Sequence, residues 1–260
     1  MRTGSGRVQL ADPFHDRSLP VSTAPDSAQK FDTSRAGEYR QQSRIALAGY
    51  EACHELSACL LAAALGTGRE ARILVAGAGG GATEIVTAAA LEPNWRFFAV
   101  DPSEPMLALA VARLEETGLT ARTEVVRGTV ADLPDGDAFD AATLIGVLHH
   151  LPGDAAKRAI LQDIARRLRP GAPLILAGNY RAYASEPLLL AAWGERWRQQ
   201  GAGPAEVEAK RARILQGADP PPSEEAVADL LREGGFAPPL RFFSSLFWGA
   251  WLARKSPDAA

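Results

Sequence analysis

A chain of 260 residues accommodates one large domain, or one domain with an embellishment. With 47 % hydrophobic and 23 % charged residues and a formal net charge of −3, it has the composition of a globular protein and lacks the basic footprint of a nucleic-acid binder. Its apolar stretches fall short of a membrane span and its N-terminus lacks the apolar segment of a signal peptide, so no membrane partner and a cytoplasmic location are expected.

Residues 1–30 are polar, carry Pro and Ser without a period, and read as a flexible tail. Residues 31–65 turn helical. Tyr39, Ile45 and Leu47 precede Gly49, and Tyr50, Cys53, Leu56, Leu60 and Leu61 follow it, which predicts two helices broken near Gly49. Cys53 and Cys59 fall on different faces of the second helix and read as buried thiols rather than a disulfide. With His15, His54, His149 and His150 they form no metal-ligand spacing, so no metal is expected.

The main domain is expected over 66–260. Strands are predicted at 72–76, 96–100, 123–126, 140–146 and 173–177, with helices at 81–91, 104–117 and 154–168. Apolar strands alternating with helices of this length predict a parallel sheet covered on both faces. The insert 180–221 interrupts this rhythm with two helical stretches, 186–200 and 204–216. Trp193 and Trp197 share a face of the first and read as packing rather than an aromatic cage, and Pro220, Pro221 and Pro222 end the insert. A helix at 223–233 follows, then strands at 240–243 and 246–253 separated only by Ser244 and Ser245, which predicts a closing antiparallel hairpin.

The stretch ILVAGAGGGATEI, residues 73–85, reads as a strand, a tight glycine turn and a helix start. Such a turn cradles a nucleotide cofactor. The spacing Gly77-x-Gly79-x-x-Ala82 fits a dinucleotide as well as other nucleotides. Asp101 lies 24 residues past Gly77, at the end of the second strand, where a carboxylate accepts both hydrogen bonds of a ribose diol. Nicotinamide and S-adenosyl cofactors share that diol.

Four blocks in order, ILVAGAGGG, FFAVDPSEPMLALA, GTVADLP followed by FDAATLIGVLHHLP, and RLRPGAPLILAG, resemble the class I S-adenosylmethionine-dependent methyltransferases of the small-molecule type. The terminal GGFAPPLRFFSSLFWGAWLARK looks like the hairpin that closes that family's sheet. The resemblance covers about Ile73 to Lys255 and is most specific in DPSEPML. It implies an α/β fold: a doubly wound, Rossmann-like seven-stranded sheet with a C-terminal antiparallel hairpin, N-terminal helices and a helical lid insert.

The resemblance also implies roles for single residues. Gly77, Ala78 and Gly79 would pass beneath the methionine part of S-adenosylmethionine, where a side chain would clash. Asp101 would hold the ribose, and Pro102 and Met106 would contact adenine or ribose. Thr129 stands where the family often has an Asp that accepts from the adenine amino group, and the Val130 amide would serve the ring nitrogen. Ile145 and Gly146 would let the cofactor's amino end approach main-chain carbonyls, and Tyr39 would be a lid contact. The family's usual acid two residues before the first glycine is absent, since that position is Val75. Backbone carbonyls near Gly77 and Ile145 then hold the ammonium alone. On a second reading the missing counter-charge lowers the ammonium's pKa and frees a nucleophilic amine.

The expected activity is methyl transfer to a small-molecule acceptor, in bacterial secondary metabolism. His150, Asn179 and Tyr180 are the expected catalytic residues, all at the carboxyl edge of the sheet, while His149 reads as a packing or capping residue. The alternative is a non-methylating enzyme that cyclises the aminobutyryl chain to an azetidine-2-carboxylate-type product and releases methylthioadenosine. An NAD(P)-dependent oxidoreductase and a catalytically silent binding protein are further alternatives. Expected partners are a small-molecule acceptor or S-adenosylmethionine alone, with the chain a monomer or homodimer.

Overall fold

The computed structural model describes residues 41–134 and 139–257. The tail at 1–30 and Tyr39 lie outside the described residues. Residues 41–46 are helical, Gly49 turns the chain with φ +82°, and α1 (Tyr50–Leu65) begins. Five parallel strands, β1 (Ala71–Ala76), β2 (Trp95–Asp101), β3 (Thr123–Arg127), β4 (Ala141–Ile145) and β5 (Pro173–Asn179), share one sheet with β6 (Leu240–Ser245) and β7 (Trp248–Arg254). The order is β3-β2-β1-β4-β5-β7-β6, with β7 antiparallel to both β5 and β6. The intervening helices are α2 (Thr83–Leu91), α3 (Glu104–Glu116), α4 (Gly153–Arg167), α5 (Pro187–Gln199), α6 (Pro204–Gly217) and α7 (Glu224–Glu233). This is the doubly wound, Rossmann-like sheet with a closing antiparallel hairpin.

The strands are apolar on both faces because helices cover both. Leu74, Ala76, Val100, Leu144 and Leu176 pack against Leu161 and Ile164 of α4 and Val227, Leu230 and Leu231 of α7. Ile73, Val75, Phe97, Ala99 and Ile175 face the other way, onto Leu61 of α1, Ile85 of α2 and Leu114 of α3. Each large side chain buried in these layers contributes about 1.5–3 kcal/mol. Ser103 caps α3 by accepting from the Met106 amide, with Pro105 in its first turn.

Three boundaries differ from expectation for identifiable reasons. α2 starts at Thr83 rather than residue 81, because Ala82 is left-handed at φ +48° and cannot yet be helical. The closing hairpin turns at Leu246 and Phe247, not at the two serines. Leu246 takes φ +51°, and Phe247 is fully buried among Tyr183, Trp193 and Trp197. β5 runs on to Asn179, which pairs with Trp248, so Asn179 ends the strand instead of following it.

Candidate active site

The chain leaves β1 on one side through β2 and on the other through β4, so the carboxyl ends of these strands splay at a topological switch point. Two adjoining cavities open there. The smaller, about 130 Å³, is lined by Gly77, Gly79, Asp101, Pro102, Met106, Thr129, Val130, Ile145, Gly146 and His150, with Leu151 and Ile160. The structure thus brings together most of the residues the sequence nominated. Among the described residues nominated for the cofactor, Ala78 is the exception: it is fully buried and lines neither cavity.

The glycines answer to the protein's own packing. At Gly77, with φ +76°, a Cβ would sit 2.2 Å from Val147 Cγ2. At Gly79 it would sit 2.5 Å from Met106 Cβ and 2.7 Å from Asp101 Oδ2. Removing both Cβ atoms lets the loop fold onto the end of β2. There the Gly79 amide donates to Asp101 Oδ2 at 3.0 Å and the Ser103 amide donates to Oδ1 at 2.8 Å. These bonds fix the carboxylate while leaving lone pairs on each oxygen for a diol. Burial raises the Asp101 pKa, and the two amides oppose that shift. Thr129 begins a short turn over Val130–Asp132; its hydroxyl donates to Asp132 Oδ2 at 2.7 Å and keeps lone pairs to accept with. A pinned carboxylate, the apolar side chains of Met106, Val130 and Leu151, and a side-chain-free loop form a donor set that fits S-adenosylmethionine.

The larger cavity, about 480 Å³, shares Gly77, Gly79, Ile145, Gly146 and His150 with the smaller one. Asn179, Tyr183, His149 and Trp248 stand on its sheet side, Tyr50, His54 and Glu84 on its glycine-loop side, and Trp193, Ile214 and Ala218 come from the insert. His150 therefore stands at the junction, its ring centroid 4.2 Å from that of His149. Among the described residues no group of three or more His, Cys, Asp or Glu could hold a metal ion, and no helix is long and apolar enough to cross a membrane.

Tyr180 requires correction. It is buried against the opposite core layer, edge-on to Trp251, its hydroxyl accepts from Arg181, and it lines neither cavity. Alternation along β5 explains this: with Asn179 turned to the cavity, its neighbour turns away. The phenol at the cavity is Tyr183, missed in the sequence because it lies beyond the strand in a short helical turn. Asn179 Nδ2 donates to the Tyr183 hydroxyl at 2.7 Å, and Asn179 Oδ1 is buried without a hydrogen-bond partner among the described residues. Burial raises the Tyr183 pKa above the ordinary phenol range, so it stays protonated. Cys59 is exposed, contrary to expectation; only Cys53 is buried, its thiol pushed up to about 12 chiefly by burial.

The insert is tied across the cavity to residues 41–46. Trp193 Nε1 donates to the Ala46 carbonyl at 2.8 Å, and Arg196 donates to the carbonyls of Ile45 and Arg44 at 2.8 and 3.0 Å. These carbonyls close a helical segment, so the α5 side chains supply the partners its end lacks. At the other end of the insert, Asp219 accepts from buried Lys157 and from the Gly153 amide, each at 2.7 Å, and its own amide donates to the His149 carbonyl.

Glu84 was not nominated by the sequence. It sits in the first turn of α2 with its side chain 12 % exposed, and His54 Nε2 lies 3.9 Å from its Oε2. His54 Nδ1 lies 2.8 Å from the Tyr50 carbonyl, and the Tyr50 hydroxyl donates to Thr83 Oγ1 at 3.0 Å. Burial raises the Glu84 pKa; His54 and its own amide oppose this and Asp101 adds to it.

Residues 73–171 match the family model described as a methyltransferase domain. The carboxy-S-adenosyl-L-methionine synthase of Aeromonas hydrophila is 27 % identical over 186 residues, spanning 70 % of this chain and 72 % of that protein. A provisionally assigned O-methyltransferase of Nostoc punctiforme superposes with a TM-score of 0.61 at 16 % identity, covering 86 % of this chain and 59 % of that one. An O-methyltransferase family protein of Burkholderia thailandensis gives 0.56 at 17 % identity, covering 85 % and 64 %. At these identities the two structures speak for the fold alone. The matched domain, the glycine loop and the pinned Asp101 together make this chain similar to the class I S-adenosylmethionine-dependent methyltransferases.

Proposed function

We propose that this protein transfers the methyl group of S-adenosylmethionine to a small-molecule acceptor held in the larger cavity. The observation that carries this reading is the continuity of the two cavities through Gly77, Gly79, Ile145, Gly146 and His150. A cofactor threaded along those residues would turn its sulfonium toward a chamber of about 480 Å³, a volume suited to a small molecule. When bound, S-adenosylmethionine supplies a methyl group already activated by the sulfonium. The protein's part is then positioning, water exclusion and, for a protic acceptor, removal of a proton.

Asp101 holds the ribose hydroxyls, Pro102, Met106 and Val130 flank the adenosine, and Thr129 accepts from the adenine amino group. His150, at the junction, takes a proton from an acceptor that must lose one. Asn179 Oδ1 accepts from a donor on the acceptor, with Tyr183 fixing the amide's orientation. Residues 66–260 form the catalytic domain, and 31–65 with the insert 180–221 act as the lid that excludes water and selects the acceptor. A role in bacterial secondary metabolism accords with a small-molecule chamber.

A second reading is favoured by Val75 and by the unsatisfied Asn179 Oδ1. With no acid at position 75, Asn179 and Tyr183 would hold the aminobutyryl chain bent. Its nitrogen, having lost a proton, would bond to the carbon next to sulfur as that carbon–sulfur bond breaks, giving a four-membered ring and methylthioadenosine. The related synthase, named for carboxy-S-adenosyl-L-methionine, shows that relatives of this chain are not all named for methyl transfer. Incubating the protein with S-adenosylmethionine, with and without candidate acceptors, tests the two readings. Release of adenosylhomocysteine that requires an added acceptor supports the first; steady release of methylthioadenosine without one supports the second.

A further inference from the structure

Val75 cannot serve the cofactor's ammonium. It is 1 % exposed, lines neither cavity and is packed among Ile73, Ala99 and Ile175. Yet the larger cavity is not without a carboxylate. Its glycine-loop wall runs from Gly77 through Gly79, Gly80, Ala82 and Thr83 to Glu84. We propose that Glu84, on the helix fed directly by the glycine loop, holds the ammonium of S-adenosylmethionine in place of the acid absent at position 75.

Three observations carry this. Glu84 is largely withdrawn from solvent; its carboxylate accepts from its own amide, and His54 lies at 3.9 Å, too long for a hydrogen bond. A buried carboxylate with so incomplete a shell is costly unless a cation arrives. It also lies at the cofactor end of the chamber: it follows the loop that bonds Asp101, and the charge of Asp101 reaches it. The ammonium is the cationic donor at the end of the cofactor remote from adenine, and the shared wall of the cavities leads there. His54 is itself held by its other ring nitrogen, which lies 2.8 Å from the Tyr50 carbonyl.

This inference rests on the cofactor, and a carboxylate at the ammonium keeps the amine protonated, which sides with methyl transfer over cyclisation. Its test is a binding cycle without acceptor or turnover. Calorimetry would compare adenosylhomocysteine with its desamino analogue on the unmutated protein and on Glu84→Gln. The unmutated protein should prefer the amino-bearing ligand by about tenfold to a hundredfold, the range of a charged hydrogen bond, and Glu84→Gln should reduce that preference to about twofold. Affinity for the desamino analogue should stay unchanged, reporting an intact adenosine site. Should Glu84→Gln not fold, Glu84→Asp, which keeps the charge but shortens its reach, should show an intermediate preference. An undiminished preference in either variant, or no preference in the unmutated protein, would overturn the proposal.

Discussion

The amide of Asn179 and the hydroxyl of Tyr183 form a 2.7 Å hydrogen bond at the wall of the larger cavity, while Tyr180, next in the chain to Asn179, is turned into the opposite core layer. Removing the Tyr183 hydroxyl should therefore matter more to the reaction than removing that of Tyr180. Tyr183→Phe is expected to lower turnover by about tenfold, through loss of positioning, with little change in adenosylhomocysteine affinity. Tyr180→Phe loses only a bond accepted from Arg181 at a half-buried site and should retain most activity. Steady-state kinetics of the two variants side by side, with calorimetry, check this order; the reverse order would restore Tyr180 to the site.

Asp101 is held by two backbone amides with lone pairs to spare. Asp101→Ala should weaken adenosylhomocysteine binding by about 1.5–3 kcal/mol, as expected for hydrogen bonds to a charged group. Unchanged affinity by calorimetry would remove Asp101 from the ribose site.

The two thiols should separate cleanly. Cys53 is buried with its pKa pushed up to about 12, and Cys59 is exposed. At mildly alkaline pH an aromatic disulfide reagent should titrate Cys59 rapidly and Cys53 only after denaturation. Rapid reaction of both in the native protein would show that α1 does not pack as described.

Lys157 is 1 % exposed and its ammonium is bonded to Asp219 at the end of the insert. Asp219→Ala strands that cation and the Gly153 amide, while the main-chain bond of residue 219 to the His149 carbonyl remains. A loss of about 1–2 kcal/mol is expected by chemical denaturation, well below that of a fully buried pair because the Asp219 side chain is 58 % exposed. Lys157→Met with Asp219→Ala should recover much of it, since an apolar side chain replaces a buried charge. A double variant no more stable than Asp219→Ala would contradict this account of the anchor.

Much of the fold was legible because its signals are local. Apolar strands, the cap at Ser103 with Pro105, and the glycine loop each declare their element within a few residues, and the resemblance supplied their order. The adenosine cradle was legible for the same reason, since Gly77, Gly79, Asp101 and Met106 lie in short segments at or just past the ends of two adjacent strands. The acceptor side was less so. Whether Asn179 ended β5 decided which of its neighbours faced the cavity, and a boundary error of two residues exchanged Tyr183 for Tyr180. Glu84 was hidden because a glutamate in a first helical turn reads as a favourable charge near the helix dipole. Only the approach of α1, bringing His54 against it, marks it as a buried group.

The fate of the methyl group tests the central claim most directly. The protein would be incubated with S-adenosylmethionine carrying a deuterated methyl group together with a panel of small hydroxyl and amine acceptors, and the products read by mass spectrometry. The account predicts that the label appears on an acceptor in step with unlabelled adenosylhomocysteine. Label retained in methylthioadenosine, formed at the same rate whether or not an acceptor is present, would contradict it.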